Sequence, residues 1–186
     1  MELERELIIQ CQKGQKSSFG KLVSPYIQDA YSISFTILKS KEYAEDAVQN
    51  ALIEVYKNIM ANKEIRKFRS WFLTIVASRS IDLARKNIKE WNRTIEASVI
   101  QIGSNETPLT NLLDKERNAF VTEAVLALPL KYRTVISLFY FQELTIKEIA
   151  KLLETKEGTI KSRLYKAREC LNHTLTRRDN IPKAGE

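Results

Sequence analysis

The chain has few of the residues that punctuate a β protein. Its 186 residues include five glycines and four prolines, too few for the tight hairpins that a set of short strands requires. Cys11 and Cys170 are the two cysteines; lone and distant, they exclude a disulfide framework and read as packed thiols, with a redox role as the alternative. His173 is the one histidine, and no Cys/His cluster has metal-ligand spacing, so no metal is expected. There is no glycine-rich phosphate loop and no recognisable catalytic set. Neither an enzyme activity, a cofactor nor a small-molecule substrate is therefore expected. No apolar run approaches the roughly eighteen residues of a membrane span. The opening MELERELIIQ is acidic and amphipathic, unlike a signal peptide. These absences point to a cytoplasmic protein without membrane insertion.

What is present is helical. Hydrophobic residues make up 44% of the chain, enough for packed cores, and they recur at helical spacing, which predicts an all-α fold. The formal charge is +7, a balance that suits a polyanionic partner. It divides as net +4 over residues 1–90, −1 over 91–115 and +4 over 116–186. The middle stretch contains Gly103 and Pro108 and no helical stripe. It reads as a linker, and so long a linker implies two domains. The expected organisation is two small helical domains, 1–90 and 116–178, joined by a linker, 91–115, and followed by a tail, 179–186.

In the first domain, short helices are expected over ERELIIQCQKG, ended by Gly14, and over SSFGKLV. Another should start at SPYIQDAYSISFTIL, with Ser24 as cap and Pro25 at the first helical position. KEYAEDAVQNALIEVYKNIM (41–60) has apolar residues at 44, 47, 48, 51, 52, 55, 56 and 59, one continuous helical face. Opposite lies a polar stripe of Glu45, Asp46, Gln49, Asn50, Ile53 and Glu54, suited to a basic helical partner or to solvent. After the loop ANKEIRKFR, a long helix is expected over 70–91 with Ser70 as its cap. Residues 63–89 hold eight basic and two acidic side chains. Trp71 is expected in the core or at a stacking surface, and Asp82 in a pair with Arg79, Arg85 or Lys86.

In the second domain, helices are expected over 114–128, stopped by Pro129, and over KYRTVISLFYFQE (131–143). TIKE (145–148) has the form of a capping box, with Thr145 and Glu148 satisfying each other's amides. Ile146, Ile149, Ala150 and Leu153 give the capped helix an inner face. KEGTIKSRLYKAREC (156–170), with five basic residues and two acids, follows about one turn later. Two short helices so joined describe a helix-turn-helix, whose second helix enters the major groove. Ile160, Leu164, Ala167 and Leu171 should point inward. Lys161, Ser162, Tyr165, Lys166, Arg168 and Glu169 should point outward, with Arg163 at the boundary. Lys, Arg and Ser can meet base edges or phosphates; a solvated amphipathic helix is the alternative.

The stretch ALPLKYRTVISLFYFQELTIKEIAKLLETKEGTIKSRLYKARECL resembles the fourth conserved region of bacterial sigma factors of the extracytoplasmic-function (ECF) type. The resemblance rests on Leu128-Pro129, Arg133, Glu148-Ile149-Ala150 and Gly158 to Leu164. EYAEDAVQNALIEVYKNI resembles the second region of the same family, where Asp46 and Gln49 match positions that dock on the clamp helices of the polymerase's largest subunit. FRSWFLTIVASRSIDLARKN resembles the segment that melts and reads the −10 promoter element. The resemblance spans about 80% of the chain. It implies a non-catalytic specificity subunit that binds core RNA polymerase and promoter DNA, with a linker running through the enzyme and an anti-sigma factor as a further partner.

On that resemblance, the expected −35 contacts are Thr159, Lys161, Ser162, Arg163, Tyr165, Lys166 and Arg168. The expected −10 contacts are Asn62, Lys63, Arg66, Lys67, Arg69, Trp71, Arg79, Arg85 and Lys86, with the loop 62–69 holding a flipped base. The expected polymerase contacts are Glu45, Asp46, Gln49, Asn50, Ile53 and Glu54. Some positions depart from the family. Asn50 replaces an acid, Leu52 a Phe, and Arg79 an apolar or small residue. Glu154 replaces a Gly, at a cost on the order of 1 kcal/mol if its φ is positive. Lys156 stands where Ser or Pro is usual, which makes Thr155 the expected cap. A stand-alone helix-turn-helix regulator is the alternative function, and a DNA-processing enzyme a third reading.

Overall fold

A computed structural model describes residues 2–86 and 112–179. Among the described residues every regular element is helical, as the apolar periodicity required. The elements divide into two compact units, one of residues 2–86 with Ser137–Leu144, the other of residues 112–136 and 145–179. Most of the expected linker and tail lies outside the described residues, although residues 112–115 already belong to a helix.

The first unit holds α1 (Glu2–Gln12), α2 (Lys16–Val23), α3 (Ile27–Leu38), α4 (Lys41–Met60) and α5 (Phe68–Lys86). Its centre is where α3, α4 and α5 pack on one another, around Ile37, Leu38, Val55, Ile59, Phe68, Phe72 and Leu73, each at most 2% exposed. The α3–α5 contact contains a buried polar element. The buried Ser34 and Ser80 hydroxyls lie 2.8 Å apart, so that one donates to the other while the second donates to a backbone carbonyl, that of Ala44 for Ser34 or of Val76 for Ser80. Gln12 donates to the Ile59 carbonyl at 3.3 Å, so α1 covers the exposed end of α4.

Helix ends follow local chemistry. Ser40 caps α4 by accepting from the Tyr43 amide. Three helices end in a left-handed residue with paired backbone bonds from it and its successor: Gly14 after α1, Asn62 after α4 and Glu154 ahead of the last helix. Each such pair satisfies carbonyls that the helix leaves open. Two expected caps are corrected. Ser24 opens no helix: α2 runs through a short 3-10 turn, Ser24–Tyr26, into α3, with Val23 in the cap position and Pro25 in the first turn. Ser70 lies inside α5, which starts at Phe68 because that ring is buried and the Trp71 amide already reaches the Lys67 carbonyl.

The second unit holds α6 (Leu112–Ala127), α7 (Leu130–Ile136), α8 (Ile146–Leu152) and α9 (Glu157–Asp179). Its core joins Ala124, Val125, Leu128 and Val135 to Ile149, Ile160, Leu164 and Ala167. Arg133 is also buried, at 2% exposure. It donates to the Leu128 carbonyl at 3.0 Å, which ties the end of α6 to α7, and burial lowers its pKa to about 10. The single helix expected over 131–143 is divided. The α-helix stops at Ile136, a wider π turn covers Ser137–Phe141, and the chain reverses at Glu143 with φ of 54°.

Candidate functional site

The helix-turn-helix forms as its sequence dictates. Thr145 accepts from the Glu148 amide at 3.3 Å, and the Glu148 carboxylate accepts from the Thr145 amide at 2.8 Å. In the turn, Glu154 takes a φ of 52°, the conformation for which Gly is the low-cost residue. Thr155 does not cap α9. The helix begins one residue later, with the Lys156 carbonyl accepting from Thr159 and Ile160.

That start fixes which side chains α9 presents. Ile160, Leu164 and Ala167 are buried, Leu171 is half-buried, and Arg163 sits at the boundary. Lys161, Ser162, Tyr165, Lys166 and Arg168 are exposed, while Thr159 is half-buried. Tyr165 is 66% exposed, an unusual cost for so large a ring in water. Ser162 donates to its own helix at the Thr159 carbonyl, 3.0 Å away. Lys166 pairs with Glu169 at 2.8 Å, and that carboxylate, with weaker help from Tyr165 and Tyr132, holds the ammonium above its ordinary pKa. Gly158 occupies the first turn, and a Cβ there would meet nothing within 4 Å. The fold gives no reason for a glycine at this place.

In the first unit the expected polymerase stripe is an outer face of α4. Glu45, Asp46, Gln49, Asn50 and Ile53 are exposed, and Ile53 is 54% exposed. Met60, two turns beyond Ile53 on the same face, adds a second exposed apolar residue that sequence reasoning missed; helical spacing alone would have found it. Glu54 behaves differently. It is half-exposed and bound to Arg79.

The expected −10 set is a loop and one side of α5. Asn62, Lys63, Arg66, Lys67, Arg69, Arg85 and Lys86 are exposed. Trp71 is half-buried, its ring tilted against Phe68 with centroids 6.1 Å apart, and so belongs wholly to neither core nor surface. Several of the cations are held by carboxylates of the fold. Arg66 meets Glu64 at 3.0 Å, Arg69 meets Asp29 on α3 at 2.9 Å, and Arg79 meets both Glu54 and Asp82. The Arg79–Asp82 pair was legible from its spacing; the Asp29 and Glu54 partners are remote in sequence and were not. Beside the loop, a cleft of about 350 Å³ is lined by Glu2, Glu4, Arg5, Ile8, Ile65, Arg66 and Phe68. Tyr26 donates to Glu4 at 2.7 Å close to that wall, and the carboxylate raises the phenol's pKa. Among the described residues, no group of three His, Cys, Asp or Glu side chains could hold a metal ion.

Two stretches of the chain match known domain families, the second of them including Ser137–Leu144. Residues 22–90 match Sigma-70 region 2, and residues 121–171 match Sigma-70, region 4. The chain thus has the domain composition of a sigma-70 protein. It is 30% identical over 179 residues to the ECF RNA polymerase sigma factor SigW of Bacillus subtilis (strain 168), covering 92% of this chain and 96% of that one. It is 25% identical to the ECF RNA polymerase sigma-E factor of Escherichia coli (strain K12), covering 92% and 94%. The fold is shared with the sigma factor RpoE of Bartonella quintana, solved in complex with the anti-sigma factor NepR, at a TM-score of 0.63 and 19% identity over 85% of this chain and 96% of that one. It is shared too with CnrH, solved with the cytosolic domain of CnrY, at 0.59 and 19%, over 94% and 98%. The chain belongs to the ECF RNA polymerase sigma factors. A stand-alone regulator is not what these matches favour.

Proposed function

We propose that the chain performs promoter recognition with a division of labour between its two units. α9 enters the major groove of the −35 element. Lys161, Ser162, Tyr165 and Lys166 face the bases, while Thr159, Arg163 and Arg168 line the path of the phosphates. The observation that carries this reading is the outward presentation of these side chains on the second helix of a capped helix-turn-helix, while Ile160, Leu164 and Ala167 anchor its other face. A major groove admits one helix presented in this way. Gly158 fits the same picture, since an open Cβ position at the helix start allows a phosphate to approach the backbone.

The outer face of α4, from Glu45 to Ile53 with Met60, docks on a basic, partly apolar helical surface of core RNA polymerase. The loop after α4 and the exposed side of α5 receive the opened −10 strand. Lys63, Lys67, Arg85 and Lys86 supply positive charge, Trp71 a stacking surface, and the cleft beside Ile65 room for an unstacked base. Tethering raises the effective concentration of the second contact once the first has formed, so each unit alone binds weakly. The chain is read as a non-catalytic specificity subunit that works in the cytoplasm. By analogy with the solved complexes of similar proteins, an anti-sigma factor covers its surfaces when it is inactive.

Run-off transcription with purified core enzyme on a genomic template library tests this reading. Transcripts starting at fixed distances from a paired −35 and −10 element are expected. The absence of any promoter-dependent transcript would overturn it.

A further inference from the structure

Arg79 stands where sequence reasoning put a cation for the opened strand, and Glu54 where it put a polymerase contact. The structure joins them. Arg79 Nε donates to Glu54 Oε2 on α4 at 2.7 Å, and Arg79 Nη1 donates to Asp82 Oδ2 on its own helix at 3.0 Å. The three side chains are exposed to similar extents, 39%, 37% and 40%. The group is thus reachable from solvent yet closed on itself. A guanidinium holds two carboxylates at fixed directions through separate N–H groups, which a lysine ammonium does not. With two carboxylates around one guanidinium, the cluster is net negative. A DNA phosphate would meet repulsion from Glu54 and Asp82 before it gained anything from Arg79. On the neighbouring α4 stripe, Glu45, Asp46, Gln49 and Asn50 are exposed.

Packed helices slide and rotate by small amounts under load. α4 and α5 pack on each other, and their assigned tasks differ: α4 meets the enzyme and α5 meets the promoter. One hydrogen bond from α5 onto α4, aimed by a second bond within α5, removes one of those freedoms. We propose that Arg79 is a positioning residue: held between Glu54 and Asp82, it locks α5 to α4, so that docking of α4 sets the angle at which α5 meets the −10 duplex. The inference rests on the function proposed above. It reassigns Arg79 and Glu54 from partner contacts to an internal brace.

The test measures open-complex formation by full-length chains at saturating core enzyme. Two promoters are used, one fully duplex and one with a mismatched, already opened −10 element. Arg79→Ala and Glu54→Gln should each slow opening of the duplex promoter by about fivefold, the upper range for an exposed ion-pair network. The double variant should be no worse than either single, because both break one unit. Arg79→Lys should recover only part of the loss. On the pre-opened promoter all four variants should match the parent chain. A direct DNA contact would overturn the proposal; it would show as an Arg79→Ala defect on both promoters with the salt slope reduced by about one and no effect of Glu54→Gln. A merely structural role would also overturn it, showing equal losses on both promoters that track a lowered unfolding temperature. Unchanged opening in every variant would do the same. Failure of the parent chain to open the duplex promoter would instead bring down the proposed function itself.

Discussion

The helix proposed to read the −35 element and the region proposed to receive the −10 strand carry similar numbers of basic residues in different settings. On α9, Lys161, Ser162 and Tyr165 stand exposed on a face whose opposite side is the core of the second unit. In the first unit, Arg66, Arg69 and Arg79 are all engaged with carboxylates of the same unit. A charge count therefore overstates the positive field of the −10 region. The contrast fits the two tasks proposed for these surfaces. A duplex groove is a fixed shape, and side chains presented outward along one helix suit it. An opened strand has no fixed shape until it is bound, and the surface that receives it must hold its own geometry. In the proposed account, Arg79 held by Glu54 and Asp82 provides that stiffness, and Lys63 and Lys67 on the loop supply the field.

The contrast has consequences that can be measured. The largest effects belong to α9. Lys161→Ala should cost promoter binding about 1–3 kcal/mol and relax base preference at one position of the −35 element if it reads a base, or lower the salt slope by about one if it meets a phosphate. Salt titration of promoter binding separates the two outcomes. The Arg69→Ala change should cost less than about 1 kcal/mol, because the exposed pair with Asp29 that it breaks contributes little. An Arg69 effect as large as that of Lys161 would erase the distinction between the two regions.

Gly158→Ala should separate fold from binding. Nothing blocks the added methyl, and α9 should gain about 0.5–1 kcal/mol of stability from a better helix former. Promoter binding should nevertheless weaken, read as a rise in unfolding temperature together with a fall in affinity. Glu154→Gly should stabilise the second unit by about 1 kcal/mol, since the left-handed turn is occupied by a side chain that pays for it; thermal unfolding reads it. The smallest effect concerns α1. Tyr26→Phe removes the bond to Glu4 and should raise amide exchange in α1 slightly. In the parent chain the raised phenol pKa means that this bond is intact below pH 10 and is lost as pH rises past the folded-state value.

The helices and their inner faces were legible because periodicity is a local signal. The α4 boundaries, the capping box at Thr145 and Glu148 and the inward triad Ile160, Leu164 and Ala167 all stand where spacing put them; the positive φ of Glu154 was raised only as a condition, by the resemblance that put a glycine there. Two expected caps misled, at Ser24 and Ser70, because tertiary burial of Phe68 and continuation through Pro25 outweighed a local side-chain preference. Thr155 misled for a related reason, since the paired bonds that close α8 use its amide. The outward set of α9 was also readable. What no local pattern could supply was the remote partner of Arg69 and of Arg79, because Asp29 and Glu54 reach them only through the packing of α3, α4 and α5.

The central claim is that two separate surfaces of one chain read two separate promoter elements. Site-specific photocrosslinking in the holoenzyme–promoter complex tests it most directly, with a photoreactive residue placed at Tyr165 in one chain and at Trp71 in another. The account predicts that the Tyr165 position crosslinks within the −35 element and the Trp71 position within the −10 element. Crosslinking of both positions to one element, or of either to none, would contradict it.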